Sequence, residues 1–378
     1  MMKKFLIISA LVMGVAQPAF AQGVLGRMGK AASKAKGMAD QIKDLIITEK
    51  EEQDMGAAIS VKLRQKYGVV QSAPVHKYVS LVGKNLAASS TRPGLPWTFI
   101  VLDTDGVNAF AAPGGFVHIT RGALALCADE AELAGVLGHE ITHITAKHTI
   151  NAIKKSKVAG GVAEAATRSD VLEFMLDRAY VNLLENAYDR GDEDQSDEVG
   201  IQLANTLGYA PAGLGAFLTR LSERNKDLTE PSGVFASHPQ TKSRVDRLTK
   251  QIKSEKLTAS AAMAARYKAT ITYTPLPVTV VAGAAGSSSL AGGGSAPAPS
   301  PTPAATATPT PAASKSKFGL GGLSSKLGVD KSNTGTVASA GTRGVNPDRD
   351  AKGGANPRIV IITLTPSELE AFRRGISG

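Results

Sequence analysis

The spacing of apolar residues changes period along the chain, and each change marks a different kind of element. From Glu49 to Ala88 apolar positions recur at helical spacing through Val61, Leu63, Val69, Val75, Val79 and Leu86, which predicts helix. Trp97–Leu102 and Gly115–Thr120 are rich in β-branched and aromatic residues and read as strands. The stretch between them closes on Pro113-Gly114-Gly115, a sharp turn. Helical patterning returns at Asp129 and dominates to about Lys256. Near the C-terminus, Arg358–Leu364 predicts one more strand. Thr365-Pro366-Ser367-Glu368 after it supplies an N-cap, a proline at the first helical position and a capping glutamate. The expected class is α+β, mainly helical, with a small sheet and a short C-terminal βα element.

Both ends and the linker read differently. Lys3 and Lys4, the apolar run Phe5–Ala16 and Ala19-Phe20-Ala21 form a signal peptide over residues 1–21. The run is too short for the roughly 20 residues that span a bilayer. Cleavage would leave Gln22 first, with no cysteine directly after the cut to take a lipid anchor, so a periplasmic protein that is not a lipoprotein is expected. Residues 22–45 carry Arg27, Lys30, Lys34, Lys36 and Lys43 among apolar residues, a basic segment that could rest on a lipid surface, although its four glycines favour a loose tail or a merely solvated helix. The main domain is expected over 46–270 and the C-terminal element over 358–378. The intervening 271–357 reads as a linker, because Gly283–Ser316 is almost wholly Ala, Gly, Ser, Pro and Thr.

Composition narrows the chemistry. With 378 residues and 43% hydrophobic positions, the chain can bury a substantial core. One cysteine excludes a disulfide framework and any metal site of several thiolates. A formal charge of +10 favours anionic surfaces, but no basic helix with interleaved aromatics is present, so nucleic acid is not an expected partner. The six histidines are few enough for their spacing to be informative.

His139-Glu140-Ile141-Thr142-His143 lies inside the helical stretch. Two histidines four apart project from one helical face and can reach one metal ion. Glu140, beside them, can take a proton from a water held there. A catalytic zinc needs a third protein ligand and an open position. A third histidine six residues on is absent, since Thr149 stands there and Ala146 replaces the glycine of that extended pattern. A glutamate from a later helix is the other common solution, and Glu164 and Glu193 are the candidates. Four residues after Glu164 comes Arg168, a poor partner for a ligating imidazole. Four after Glu193 comes Asp197, which can hold such an imidazole by its second nitrogen. That favours Glu193, with a solvated acidic face as the plain alternative for Asp192–Glu198. His148 falls off the ligand face and reads as structural or hydrogen-bonding. His76 and His118 read as ordinary surface or sheet residues, and Cys127 as a small buried hydrophobe.

Four motifs together resemble family forty-eight of the metallopeptidases, which includes the CAAX prenyl proteases, HtpX and soluble periplasmic proteases. They are Asn108–Gly115, His139–His143, the Glu193-to-Asp197 segment followed by Gly200, and His238-Pro239 with Arg244. The resemblance covers roughly Glu49 to Lys256. It implies a zincin-like fold with the sheet beside the active-site helix. It also implies one Zn2+ per subunit on His139, His143 and Glu193, with Asp197 behind them and Glu140 as general base. His238 and Arg244 become candidate donors to the carbonyl oxygen in the transition state, or His238 a gate on the open position; the plain alternative is that His238-Pro239 caps a helix and Arg244 is a structural ion-pair member. Asn108, Ala109, Phe110 and Ala111 become a strand that pairs with an extended substrate. Relatives usually carry alanine where Ser196 stands. The expected function is hydrolysis of unfolded or misassembled envelope proteins, outer-membrane proteins among them. A periplasmic protein-binding or chaperone-like factor with a gated or structural zinc is the alternative.

Overall fold

The computed structural model describes residues 46–155, 167–185, 188–226, 238, 241–276, 337–339, 343–345 and 354–376. The expected signal peptide over residues 1–21, the basic segment 22–45, Glu164 and Pro239 lie outside the described residues, as does most of the expected linker.

The first helical stretch is two helices, α1 (Glu49–Tyr67) and α2 (Ala73–Ala88). α1 starts at a capping box between Thr48 and Glu51 and stops at Gly68, whose φ of 70° suits glycine. Val69 then bridges to Leu102 as if it were a strand, so the helical period does not run through. Strands β1 (Thr98–Leu102), β2 (Ala109–Ala112) and β3 (Phe116–Thr120) form a sheet in the order β1-β3-β2. β1 runs parallel to β3, and β2 antiparallel to it. A tight turn at Pro113–Gly115 joins β2 to β3, with Gly114 at φ 73° and no room for a Cβ against Gln53.

Both sheet faces are covered. Phe99, Val101, Ala109, Ala111, Val117 and Ile119 enter one cluster with Val79, Val82 and Leu86 of α2. Leu102, Phe110 and Ala112 enter another with Ile59 and Leu63 of α1. The alternation is the period of two that a strand imposes. His118, on the second face, is fully buried and meets the Ser60 hydroxyl at 2.9 Å. His76 is also buried rather than a surface residue, its Nε2 2.9 Å from the Val70 carbonyl. That contact helps close the chain reversal between α1 and α2. Cys127 is buried, as its type suggests.

After α3 (Arg121–Leu126), Asp129 caps α4 (Glu130–Thr145), which is buried from Glu130 to Ile144. α4 packs against α2 and against three later helices: α5 (His148–Lys155), α7 (Arg190–Thr206) and α8 (Gly213–Arg224). α6 (Arg168–Glu185) covers the α1 side, with Arg168 paired to Glu51. α9 (Thr241–Ser254) packs on α7 and α8, and α10 (Ala264–Thr270) reaches α2 and α4. Among the described residues, no helix is long and apolar enough to cross a membrane.

A buried carboxylate anchors the start of α4. Glu130 accepts from the hydroxyls of Tyr78 and Tyr209 and pairs with Arg266. A lone charge there would be costly, and four donors on one carboxylate remove that cost. Arg266→Ala is expected to lower unfolding free energy by about 3 kcal/mol, since it strands the charge while the two tyrosines remain. Urea unfolding of the variant measures it.

The stretch after residue 270 departs from the linker expectation in two places. Ile271 is buried in the main core, and Val337–Ser339 pairs with Arg343–Val345 as strands β4 and β5. At the C-terminus, α11 (Pro366–Arg374) forms with the expected Thr365–Glu368 capping box. The strand expected at Arg358–Leu364 does not form. The outer edge of β1 is engaged elsewhere: Val70 N–H donates to the Val101 carbonyl, and Asp103 N–H to that of Gly68. The segment docks through side chains instead. Asn356 exchanges hydrogen bonds with Val69, Phe372 packs edge-on to Tyr78, and Arg266 lies over the Phe372 ring at 4.1 Å.

Candidate metal centre

α4 is a helix in which even the polar residues are inside. Its buried apolar residues Leu133, Leu137, Ile141 and Ile144 lock it into the core, leaving His139, Glu140 and His143 to face α7 and residue 238. One atom each of His139, His143, Glu193 and His238 lies within 4.8 Å of all the others, and all four residues are buried. His139 Nε2 is 3.0 Å from His143 Nε2 and 3.2 Å from His238 Nδ1. Glu193 Oε1 lies 2.6 Å from His238 Nδ1 and 3.3 Å from His143 Nε2.

The second nitrogens show which way these rings are turned. His139 Nδ1 is 3.0 Å from Asp197 Oδ1, so an N–H donated there leaves Nε2 as a lone pair. For His143 the partner is His148, with Nδ1 facing Nδ1 at 3.0 Å; His148 Nε2 faces Gln195 Oε1 at 3.0 Å. A proton on His148 Nε2 and one on His143 Nδ1 satisfy both contacts and free His143 Nε2 for the centre. Lys147 makes this relay by its backbone. Its left-handed φ of 59° reverses the chain after α4, so α5 begins directly beneath His143.

Electrostatics agree with a ligand set. Burial drives His143 well below its usual value, keeping the ring neutral, against the attraction of Glu193. Burial would raise Glu193, but His238, His139 and His143 outweigh it and hold the carboxyl far below the usual range. Burial likewise opposes ionisation of Asp197, and its bonds to Arg244 and His139 reverse that. Glu140 is different. Burial raises it, and His238 and His139 counter this only in part. One oxygen of Glu140 is buried without a hydrogen-bond partner, and Glu193 Oε2 has an ion pair to Arg244 but no hydrogen bond. The His143 imidazole kept neutral by burial, two more imidazoles beside it and a carboxylate between them fit a divalent cation of the zinc type.

Arg244 has another job than the donor role the resemblance implied. Its Nε and Nη2 grip both oxygens of Asp197 at 2.9 and 2.6 Å, and Nη1 lies 3.1 Å from Glu193 Oε2 and 3.4 Å from the His238 carbonyl. Its donors are spent on the carboxylates behind the centre. It positions those groups and does not present a free donor to a substrate. His238 does face inward, its Nε2 3.8 Å from Glu140 Oε1.

The substrate strand is divided. Asn108 and Ala109 line a cavity of about 20 Å³ together with His139, Glu140 and His238, walled by Val136, Leu214 and Phe217. Phe110 turns into the opposite core and stacks on Tyr67 at 5.9 Å, so it is an anchor. Ala111 has its carbonyl capped by the Thr149 hydroxyl at 3.4 Å. β2 is nonetheless the sheet's edge on this side. Tyr188 went unnoticed in the sequence. Its ring stacks on His143 with centroids 4.0 Å apart, and its hydroxyl meets Thr149 at 2.9 Å. Neither spacing nor motif singles out that tyrosine.

A buried helix presenting two histidines and a glutamate, met by a carboxylate from a second helix, has the architecture of a metalloprotease. Comparison agrees with that architecture: residues 75–252 match Peptidase family M48. Over 208 residues it is 24% identical to the beta-barrel assembly-enhancing protease of Yersinia pestis, covering 52% of this chain and 42% of that protein. It is 28% identical over 211 residues to the metalloprotease YcaL of Escherichia coli, covering 54% of this chain and 77% of YcaL. With the mitochondrial metalloendopeptidase OMA1 of Schizosaccharomyces pombe it shares 28% over 176 residues, covering 46% and 52%. The matched region thus spans about half the length or less of the beta-barrel assembly-enhancing proteases.

Proposed function

We propose that this protein is a zinc-dependent endopeptidase of the periplasm that hydrolyses peptide bonds in unfolded or misassembled envelope proteins. The single observation that carries the enzymatic part is the convergence of His139, His143, Glu193 and His238 around one point, with Glu140 beside it. His139, His143 and Glu193 hold the ion. Asp197 and Arg244 fix them from behind, as do His148 and Gln195 on the His143 side. Zinc, when bound, supplies a Lewis acid for water and for the substrate carbonyl. Glu140 accepts the proton of the attacking water and returns it to the amine as the C–N bond breaks. Its environment suits both steps, since a carboxyl raised by burial takes and releases protons nearer neutrality.

The outer edge of β2 pairs with no other strand among the described residues, although its residues are buried, and it is the place where an extended polypeptide would pair by its main chain. A strand arriving there exchanges the Thr149 bond to Ala111, and the Asn108 Oδ1 bond to the Ala109 N–H at 2.8 Å, for its own. Such pairing reads shape over sequence, which suits unfolded chains. The names of the relatives from Yersinia and Escherichia tie those proteins to β-barrel assembly, and outer-membrane proteins are the substrates we infer here. Secretion by residues 1–21 and a peripheral membrane contact through residues 22–45 complete the reading.

A second reading has an observation of its own. His238 Nδ1 falls inside the ligand cluster, so four protein ligands could close the site as in a structural zinc centre. Digestion of casein by the purified protein separates the two. Cleavage that a chelator stops and added zinc restores is the expected result; casein binding without cleavage, indifferent to chelator, would favour a chaperone-like factor.

A further inference from the structure

A second cavity shares no residue with the metal centre. It holds about 370 Å³, within the roughly 300–1,000 Å³ typical of small-molecule sites. α1 contributes Arg64, α2 contributes Lys84, Trp97 and Phe99 make an aromatic wall, and the docked C-terminal segment closes it with Arg358 and Val360. Along that segment Ile359 and Ile361 face outward, 54% and 83% exposed, while Val360 and Ile362 are half-buried.

The charge around this space is one-sided. Arg64, Lys84 and Arg358 line it, and among the described residues no carboxylate does. Arg64 is bonded to neutral groups, donating Nε to the Ser60 carbonyl at 3.2 Å and Nη1 to the Arg358 carbonyl at 3.1 Å. Lys84 makes no hydrogen bond or ion pair with any described residue. Burial lowers the pKa of both side chains, which marks them as partly stripped of water. Half-buried cations without an anion oppose folding, and an anion entering beside them reverses that cost. Ser60, His76, Ser80 and Thr98 also line it, but most of the remaining wall is aromatic or aliphatic, which suits an anion at the end of an apolar body.

We propose that this cavity binds an amphiphilic carboxylate, its apolar chain against Trp97, Phe99 and Val360 and its charge between Arg64 and Lys84. A guanidinium fork beside an ammonium suits a planar carboxylate. Two sources share that chemistry: a fatty-acid anion and the free C-terminal end of an apolar peptide. Either would bridge α1 and α2 to the C-terminal segment and tighten its docking.

Trp97 is the chain's one tryptophan, so its emission reports this cavity in the intact protein. Titration with decanoate should change that emission saturably, with one site by calorimetry, whereas decanol over the same range should not. Lys84→Gln and Arg64→Gln should each weaken decanoate binding at least about tenfold. Lys84→Gln breaks no hydrogen bond or ion pair with a described residue and removes a half-buried charge, so its thermal unfolding midpoint without ligand should not fall. An apolar peptide tested as free acid and as C-terminal amide separates the sources. Tighter binding of the acid than of decanoate assigns the peptide end; the reverse assigns the fatty acid. Equal binding of decanol and decanoate, or full decanoate affinity in the variant with both substitutions, would overturn the proposal.

Discussion

Glu140→Gln should leave a folded protein with its full complement of metal and almost no ability to cut casein. The substitution keeps the shape and the buried volume and removes one property, the capacity to take a proton. Glu140 is not among the four residues whose donor atoms converge, so metal content measured by mass spectrometry should match the unsubstituted protein. Its pKa is raised chiefly by burial, so replacing a costly buried charge with an amide should not unfold the domain. General-base catalysis contributes roughly 10²–10⁴ in rate, and turnover should fall by at least the lower figure. Full turnover in a metal-loaded Glu140→Gln protein would remove this residue from the mechanism and send the search for a base to His238.

Why the sequence exposed some of this site and hid the rest has a physical reason. His139, Glu140 and His143 are legible because one helical turn fixes their geometry, so spacing alone encodes proximity. Glu193 was reachable through the same logic at one remove, since Asp197 lies a turn beyond it on one face. His238 and Arg244 are about a hundred positions from the α4 histidine they touch, and only family resemblance brought them forward. Of the two readings of Arg244, donor to substrate or structural ion-pair member, the structure favours the second. The ion pairs that spend its donors on Asp197 and Glu193 are tertiary facts with no local signature. Tyr188 and the relay from His143 through His148 to Gln195 were hidden for the same reason. In the fold, the period-two strands of a sheet buried on both faces were visible. The C-terminal segment shows the limit. Its residues favour a strand, but strand formation needs a free partner edge, and Val70 already occupies part of that of β1.

Gly200 offers the other large effect, because it sets the distance between the two helices that make the centre. Glu193, Asp197 and Gly200 are spaced four and three apart on α7, on one face. A Cβ on Gly200 would stand 2.8 Å from the His139 backbone nitrogen and 3.1 Å from the Gly138 carbonyl carbon. From the other side, a Cβ on Gly138 would stand 2.7 Å from the Gly200 carbonyl oxygen. The two backbones are in contact, and backbone cannot rotate away as a side chain can. Gly200→Val must therefore push α7 off α4 next to His139, carrying Asp197 and Glu193 with it. Overpacking of this kind costs about 1–3 kcal/mol, so the protein should still fold. Metal geometry is far less forgiving, tolerating shifts of about 0.2 Å. Gly200→Val should lose most of its metal and nearly all cleavage, with Gly200→Ala intermediate. Gly215 on α8 is the control: nothing lies within 4 Å of its absent Cβ, so Gly215→Ala should keep metal and activity and gain a little stability. Metal content, circular dichroism and casein cleavage measured on the three variants decide it. A fully metallated, active Gly200→Val protein would mean that α7 does not hold Glu193 against the α4 histidines.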